Sequence, residues 1–191
     1  MRDGAAGEAR LGLIVPSSNT NAEPLTAAML TSLPAIAVAS RFALPADLAT
    51  VIDERLLGPA ADLIAEAGVV AMAFHGTSGS WLGLDGDRAL AAGLARRTGV
   101  ATTTASLATI AALASLEVTR VGLVFPGPAE IADTIAVEYR RAGCEVVARS
   151  VPAAPMSNPE ISVLTPTEIE ALICPAGMND AQAIVCVGTN L

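Results

Sequence analysis

Residues 69–79, Val-Val-Ala-Met-Ala-Phe-His-Gly-Thr-Ser-Gly, decide the fold class. The uninterrupted apolar run at residues 69–74 is typical of a strand buried on both faces of a parallel sheet. Small polar residues follow at once, at residues 76–78. Because ligands of open α/β sheets bind at the carboxyl ends of strands, this stretch predicts both a buried strand and a ligand loop.

The rest of the chain alternates short Val/Ile-rich runs with Ala/Leu-rich patterns of helical spacing. The runs predict strands at residues 10–16, 36–44, 69–74, 120–125, 145–151 and 183–187. The patterns predict helices at residues 19–32, 53–67, 87–97, 106–116, 130–142 and 167–174, and Asn19 or Thr20 is expected as the first N-cap. This alternation implies βαβ units and a mostly parallel sheet.

A weak internal repeat supports two halves of like topology. Gly12 and Gly122 lie in similar strands 110 positions apart, and Gly76 and Gly188 end similar strands 112 positions apart. Two features that recur at nearly one offset predict two Rossmann-like (flavodoxin-like) lobes with parallel sheets and pseudo-twofold symmetry.

The repeat divides the chain into a first α/β lobe at residues 1–116 and a second, incomplete lobe at residues 117–191. Leu191 lies just beyond a predicted buried strand that no predicted helix covers. Parallel sheets normally have both faces covered, so we expect the chain to be C-terminally truncated.

Composition argues against several classes of partner. The net charge is −8, and no basic cluster is longer than a pair of arginines, which argues against nucleic-acid binding. The longest uncharged apolar stretch, residues 100–116, contains several Thr and Ser and divides into a strand and a helix, so no membrane span is expected. Three cysteines without an apolar signal core predict reduced thiols in the cytoplasm. Whether the chain forms a homo-oligomer stays open.

Three strand-end loops could bind a small anion: residues 16–19, 76–80 and 188–190. Each offers hydroxyl or amide groups and backbone N–H groups, which can hold a carboxylate without an arginine. The alternative is that these Ser, Thr and Asn side chains only cap helices. Three loops of one kind favour a site for a small carboxylate.

The sequences Val-Pro-Ser-Ser-Asn-Thr (15–20), His-Gly-Thr-Ser-Gly-Ser (75–80) and Val-Gly-Thr-Asn-Leu (187–191) resemble the signature loops of a known family. This family is the maleate isomerase and arylmalonate decarboxylase branch of the aspartate/glutamate racemase superfamily. The resemblance runs through the whole chain and implies a small carboxylate or dicarboxylate held between two lobes, with no metal or organic cofactor. By position, it implies these carboxylate-binding residues: Ser17, Ser18, Asn19, Thr77, Ser78, Thr189 and Asn190.

The chain departs from the family at the positions of its reactive cysteines. The isomerases carry a cysteine at the start of the second and third loops, where this chain has Gly76 and Gly188. The decarboxylases keep only the cysteine of the second lobe. Relatives often place a tyrosine after the second-lobe proline, but Pro126 is followed by Gly127 here. A pair of thiols that adds to a double bond or moves protons is therefore missing.

Other residues could replace these thiols. His75, the only histidine, could act as a general acid or base at its strand end, or it could point away from the cleft. We expect Cys186 to be a buried small side chain, Cys144 to be structural, and Cys174 to lie near a helix end.

Other polar and aromatic residues have weaker signals. Glu23 could face the cleft or complement a helix dipole. Asp85 and Asp87 read as helix-start residues, and Trp81 could wall the pocket or cover the lobe junction. No dinucleotide, phosphate-loop or zinc motif is present in the sequence.

The leading hypothesis is a cofactor-independent isomerase or racemase of this superfamily, similar to maleate cis-trans isomerase. An arylmalonate-type decarboxylase is the first alternative, because breaking the C–C bond needs charge stabilisation rather than a nucleophile. A non-catalytic carboxylate-binding relative is the second alternative.

Overall fold

The computed structural model describes residues 8–191 and places their strands in two separate parallel sheets. The first sheet has the order β2-β1-β3-β4 and is built from β1 (Ala9–Pro16), β2 (Ala35–Phe42), β3 (Ala71–Phe74) and β4 (Ala101–Thr104). The second has the order β6-β5-β7 and is built from β5 (Arg120–Val124), β6 (Glu145–Ser150) and β7 (Ala183–Cys186). The two-lobed α/β prediction is confirmed.

Eight α-helices and one 3₁₀ helix cover these sheets in the described part of the chain. They are α1 (Ala22–Leu30), α2 (Glu54–Glu66), α3 (Gly79–Leu82), α4 (Leu84–Thr98), α5 (Ala105–Ser115), α6 (Ala129–Arg141), α7 (Asn158–Ser162), α8 (Pro166–Ile173) and the 3₁₀ helix Cys174–Gly177. The short helices α3 and α7 were not predicted. None of these helices is both long and apolar enough to cross a membrane.

The first helix begins later than predicted. Asn21 occupies the N-cap position of α1, so the prediction of Asn19 or Thr20 is wrong. Asn19 still serves this helix end, because its Oδ1 atom accepts hydrogen bonds from the N–H groups of Asn21 and Ala22 at 3.1 and 3.0 Å.

The internal repeat is structural. The triplets β2-β1-β3 and β6-β5-β7 have the same order, with Ile14 paired to Phe74 in the first sheet and Val124 paired to Cys186 in the second. Gly76 and Gly188 each follow these paired residues by two positions. The two glycines therefore end equivalent strands.

Each lobe has its own apolar core. Ile14, Leu57 and Leu94 are fully buried in the first cluster, and Leu123 and Ile135 are fully buried in the second.

Helix α5 precedes the predicted lobe boundary, yet its Leu113 packs in the second cluster. The division between residues 116 and 117 thus stays a prediction, because α5 packs against elements of both lobes.

None of the three cysteines occupies the loop positions of Gly76 and Gly188. Cys144, predicted to be structural, is buried, and its thiol donates to the carbonyl oxygen of Val118 at 3.3 Å. Cys174 is exposed where α8 ends, in the 3₁₀ helix. The prediction that Cys186 is buried is wrong: Val185 and Val187 face the core, whereas Cys186 faces the outer side of β7, an edge strand of its sheet.

Candidate active site

The carboxyl ends of β1, β3, β5 and β7 surround a cavity of about 490 Å³ between the lobes. We call this space the interlobe cavity. The predicted loops contribute Ser18, Asn19, residues 76–78 and residues 188–190 to its lining. Two further segments, drawn from residues 44–52 and 155–161, complete its walls and were not predicted.

Asn19 and Thr189 join the two lobes beside this cavity. The Nδ2 atom of Asn19 donates to Oγ1 of Thr189 at 2.9 Å. The same Thr189 hydroxyl donates to the carbonyl oxygen of His75 at 3.0 Å. A side chain from the third loop therefore bridges the first and second loops.

Asn190 forms a second bridge. Its Oδ1 atom accepts from the backbone N–H groups of Thr20 and Asn21 at 3.0 and 3.2 Å. Its Nδ2 atom donates to the carbonyl oxygen of Asn158, whose own amide donates to Ser18 Oγ at 2.8 Å. The side-chain amides of Asn19 and Asn190 thus bond the start of α1 and join the lobes. Their role in binding a carboxylate stays a prediction.

Hydrogen-bond donors without a protein acceptor remain at the cavity surface. Among the hydrogen bonds of residues 8–191, the backbone N–H groups of Thr77, Ser78, Thr189 and Asn190 have no acceptor, and neither do the hydroxyls of Thr77 and Ser78. All four residues line the cavity. Such donors can hold a carboxylate or a developing oxyanion.

Part of the cavity lining is apolar. Trp81 and Phe125 pack with ring centroids 5.8 Å apart, and Trp81 Nε1 donates to the carbonyl oxygen of Leu48 at 2.9 Å. Trp81 therefore both walls the cavity and covers the lobe junction. Asp47 is the only charged residue of the described lining, and residues 8–191 contain no group of three or more side chains suited to a metal ion.

Aromatic rings occupy the space beside two of the glycines. A Cβ atom added to Gly76 would lie 2.3 Å from the Phe74 ring, and one added to Gly127 would lie 2.5 Å from the Phe125 ring. Both rings line the cavity. In each case the aromatic ring two residues before the glycine occupies the space that a Cβ atom would need.

Gly188 differs from these two glycines. An added Cβ atom would meet Pro126 only at an ordinary 3.6 Å, but the φ angle of +142° favours glycine. The backbone, rather than a lack of space, disfavours a side chain here.

Two predicted site residues do not line the cavity. Ser17 is exposed, and its Oγ atom accepts from the N–H group of Leu44 at 3.1 Å. The Nδ1 atom of His75 is buried without a hydrogen-bond partner in the described protein. Burial lowers the pKa of His75, and the charge of Glu23 opposes this shift in part. His75 lies outside the cavity lining, and its catalytic role stays a prediction.

Arg41 supports the first loop and was not predicted. Its guanidinium donates to the carbonyl oxygens of Ser17 and Asn19 at 3.2 and 2.8 Å, and to Glu23 Oε1 at 2.6 Å. Glu23 is therefore paired with Arg41 rather than presented to the cavity. No short-range pattern marks Arg41, because it reaches this loop from the neighbouring strand β2.

Asn158 was also missed. A capping box formed by Ser157 and Glu160 starts its helix, and this Ser-Asn-Pro-Glu signature was the signal that could have located α7.

Comparisons with known proteins agree with this architecture. The maleate isomerase of Pseudomonas putida S16 superposes with a TM-score of 0.80 at 23% identity, covering 96% of this chain and 79% of that one. The maleate cis-trans isomerase of Nocardia farcinica gives 0.80 at 20% identity with the same coverages, and arylmalonate decarboxylase gives 0.74 at 19% identity, covering 93% and 76%. No curated protein matches the sequence. The sequence model of arylmalonate decarboxylase matches residues 11–188, and the chain therefore belongs to the arylmalonate decarboxylase family.

Proposed function

We propose that the interlobe cavity binds a malonate-type dicarboxylate with an apolar substituent and decarboxylates it without a cofactor. One observation carries this proposal: a single cavity combines unpaired N–H and hydroxyl donors with an apolar wall and, in its described lining, no thiol. Thr77, Ser78, Thr189 and Asn190 would hold one carboxylate. Trp81 and its apolar neighbours would contact the substituent and the second carboxylate.

This arrangement suits cleavage of a C–C bond. The bond to the departing carboxylate breaks, CO₂ leaves, and the electron pair moves onto the retained carboxylate as an enediolate. Donors that bind the retained oxygens would stabilise this charge more than they stabilise the ground state. A proton from water then adds to the carbon atom, which completes the conversion of the malonate and a proton to a monocarboxylate and CO₂.

Isomerisation of maleate is less well supported, although the sequences of the three loops favour it. A mutant of the Nocardia farcinica isomerase has been crystallised with a covalently bound succinylcysteine intermediate. An equivalent adduct would need a thiol at the ligand. The described lining of the interlobe cavity contains no cysteine, and Cys186 faces the outer side of β7.

A carboxylate-binding protein without catalysis is the second candidate. It is favoured by the scarcity of acid/base groups, because Asp47 is the only titratable side chain in the described lining. For either function we propose a cytoplasmic location, since Cys144, Cys174 and Cys186 are all free thiols.

Incubation with phenylmalonate, methylphenylmalonate and maleate tests these functions. We expect CO₂ release from both malonates, no fumarate from maleate, and little stereochemical preference in 2-phenylpropionate, because the proposed proton donor is water. Stabilisation against heat by phenylmalonate without CO₂ release would support binding only. Neither stabilisation nor turnover would contradict both candidates.

Variants show whether the observed binding uses this cavity. Thr77→Val and Ser78→Ala should weaken binding of phenylmalonate. Thr109→Val is the matched control, because its hydroxyl bonds only the carbonyl oxygen of Ala105 in its own helix.

A further inference from the structure

A buried carboxyl group lies behind the second loop. Asp87, in the first turn of α4, is only 5% exposed. Thr104 Oγ1 donates to its Oδ2 atom at 2.5 Å. Burial raises the pKa of Asp87, and the neighbouring hydroxyls of Thr104 and Ser106 oppose this rise. The sequence placed Asp87 at a helix start, as the structure does, but gave no indication that the side chain is buried.

Further buried hydroxyl groups lie near this carboxylate. Ser80 Oγ donates to Ser106 Oγ at 3.3 Å. Burial raises the pKa of Tyr139 of α6, and the neighbouring Ser80 hydroxyl opposes this rise in part. Thr104, Ser106, Ser80 and Tyr139 are each at most 1% exposed. These four residues and Asp87 form what we call the Asp87 network.

The network reaches the loop through a close backbone contact. A Cβ atom on Gly79 would lie 2.1 Å from the carboxyl carbon of Asp87, so the carboxyl group packs against the bare backbone of Gly79. Gly79 and Ser80 lie between Ser78 and Trp81, which both line the interlobe cavity. Gly79, which contacts the network, and Ser80, which belongs to it, are thus flanked by two residues that line the cavity.

We propose that Asp87 is a positioning residue that holds residues 77–81 in place against both lobes. Its carboxyl group holds the hydroxyls of Thr104 and Ser106 in place, and Ser106 in turn holds Ser80. Because Ser80 belongs to the loop, the loop backbone is held in place as well. An apolar replacement would leave these buried hydroxyls without an acceptor, and they would find new partners only by moving. The ligand-binding part of this inference rests on the proposed function, whereas the placement of the loop does not.

Trp81 makes the test independent of any ligand. It is the only tryptophan of the chain, so intrinsic fluorescence reports this loop alone. In Asp87→Ala protein whose circular dichroism shows a folded state, we expect emission at longer wavelength, greater quenching by acrylamide and faster hydrogen exchange of residues 77–81. Asp87→Asn keeps an acceptor oxygen and should restore most of the native signal.

Two control comparisons distinguish a specific effect on the position of residues 77–81 from a general destabilisation of the protein. Ser150→Ala removes a buried hydroxyl of β6 outside the network and should leave Trp81 emission unchanged. Gly79→Ala should reproduce the shift of Asp87→Ala. Gly86→Ala, where an added Cβ atom meets nothing within 4 Å, should not.

The ligand measurement is separate. If wild-type protein binds phenylmalonate, Asp87→Ala should weaken binding by about tenfold, the loss expected when a buried hydrogen-bond acceptor is removed. If the wild type binds no carboxylate, the proposed function fails and the fluorescence still decides the positioning role.

Unchanged Trp81 emission in folded Asp87→Ala protein, or an equal shift in Ser150→Ala, overturns the inference. If Asp87→Ala does not fold, Gly79→Ala decides the question: a shift supports the role of the network, and native emission overturns it.

Discussion

Asn19 and Thr189 are 170 positions apart, yet the amide of one donates to the hydroxyl of the other at 2.9 Å. The other end of the Asn19 amide accepts from two N–H groups at the start of α1. One buried side chain therefore caps a helix of the first lobe and joins it to the second lobe.

Replacement of Asn19 should separate these two contributions. Asn19→Ala loses both and should lower the free energy of unfolding by about 2–3 kcal/mol, from the lost cap and the lost buried hydrogen bond. Asn19→Asp keeps the accepting oxygen for α1 but loses the Nδ2 donor, so its loss should be smaller. Urea denaturation of both variants is the measurement, and equal losses would contradict this division.

A side chain at Gly76 should conflict with Phe74. Gly76→Ala should lower the free energy of unfolding by about 1–3 kcal/mol, because the ring, packed edge-on to Phe42 with centroids 5.7 Å apart, has to move. The effect should shrink in a Phe74→Leu background. Denaturation of the two single variants and the double variant measures this coupling, and strict additivity would show that the ring is not the obstacle.

His75 should make stability depend on pH. Burial lowers its pKa below the ordinary 6.5, so between pH 6.5 and this lower value the unfolded chain binds more protons than the folded chain. Stability should be complete above about pH 6.5 and should decrease as the pH falls through this window. Melting temperatures at pH 7, 6 and 5 should show a smaller decrease for His75→Leu than for the wild type. Parallel curves would contradict the burial of this imidazole.

Arg41 should matter more than an ordinary surface arginine. Arg41→Ala removes hydrogen bonds to three loop carbonyl groups as well as an ion pair, and we expect a loss of about 1 kcal/mol together with weaker carboxylate binding. Arg88→Ala is the control, because Arg88 pairs only with the exposed Asp85 and such pairs contribute about 0–1 kcal/mol. Denaturation and calorimetric titration measure the two effects. Identical behaviour of the two variants would leave Arg41 without a role in the loop.

The fold was predictable because its signals are local. Strand and helix periods occur within single segments, and the near-equal offsets between Gly12 and Gly122 and between Gly76 and Gly188 mark the duplicated topology. The three polar loops were predictable for the same reason, since each directly follows its strand.

The separate roles of the residues within those loops were not predictable. Whether an amide binds a ligand or joins two lobes depends on a partner far away in sequence, as for Asn190 and Thr20. The burial of Asp87 depends on hydroxyls from β4 and α5, and the ring positions of Phe74 and Phe125 depend on tertiary packing. Such contacts leave no periodic trace in the sequence.

The contacts of the Phe74 ring with Gly76 and of the Phe125 ring with Gly127 also constrain the order in which mutations can be accepted at these positions. A mutation that placed cysteine at Gly76 while Phe74 remained would pass through a strained intermediate, whereas a smaller residue at position 74 first would open the space. The same order holds for Gly127 and Phe125. In evolution or in the laboratory, a cysteine at the end of β3 is therefore expected to arise more easily when Phe74 is replaced before Gly76.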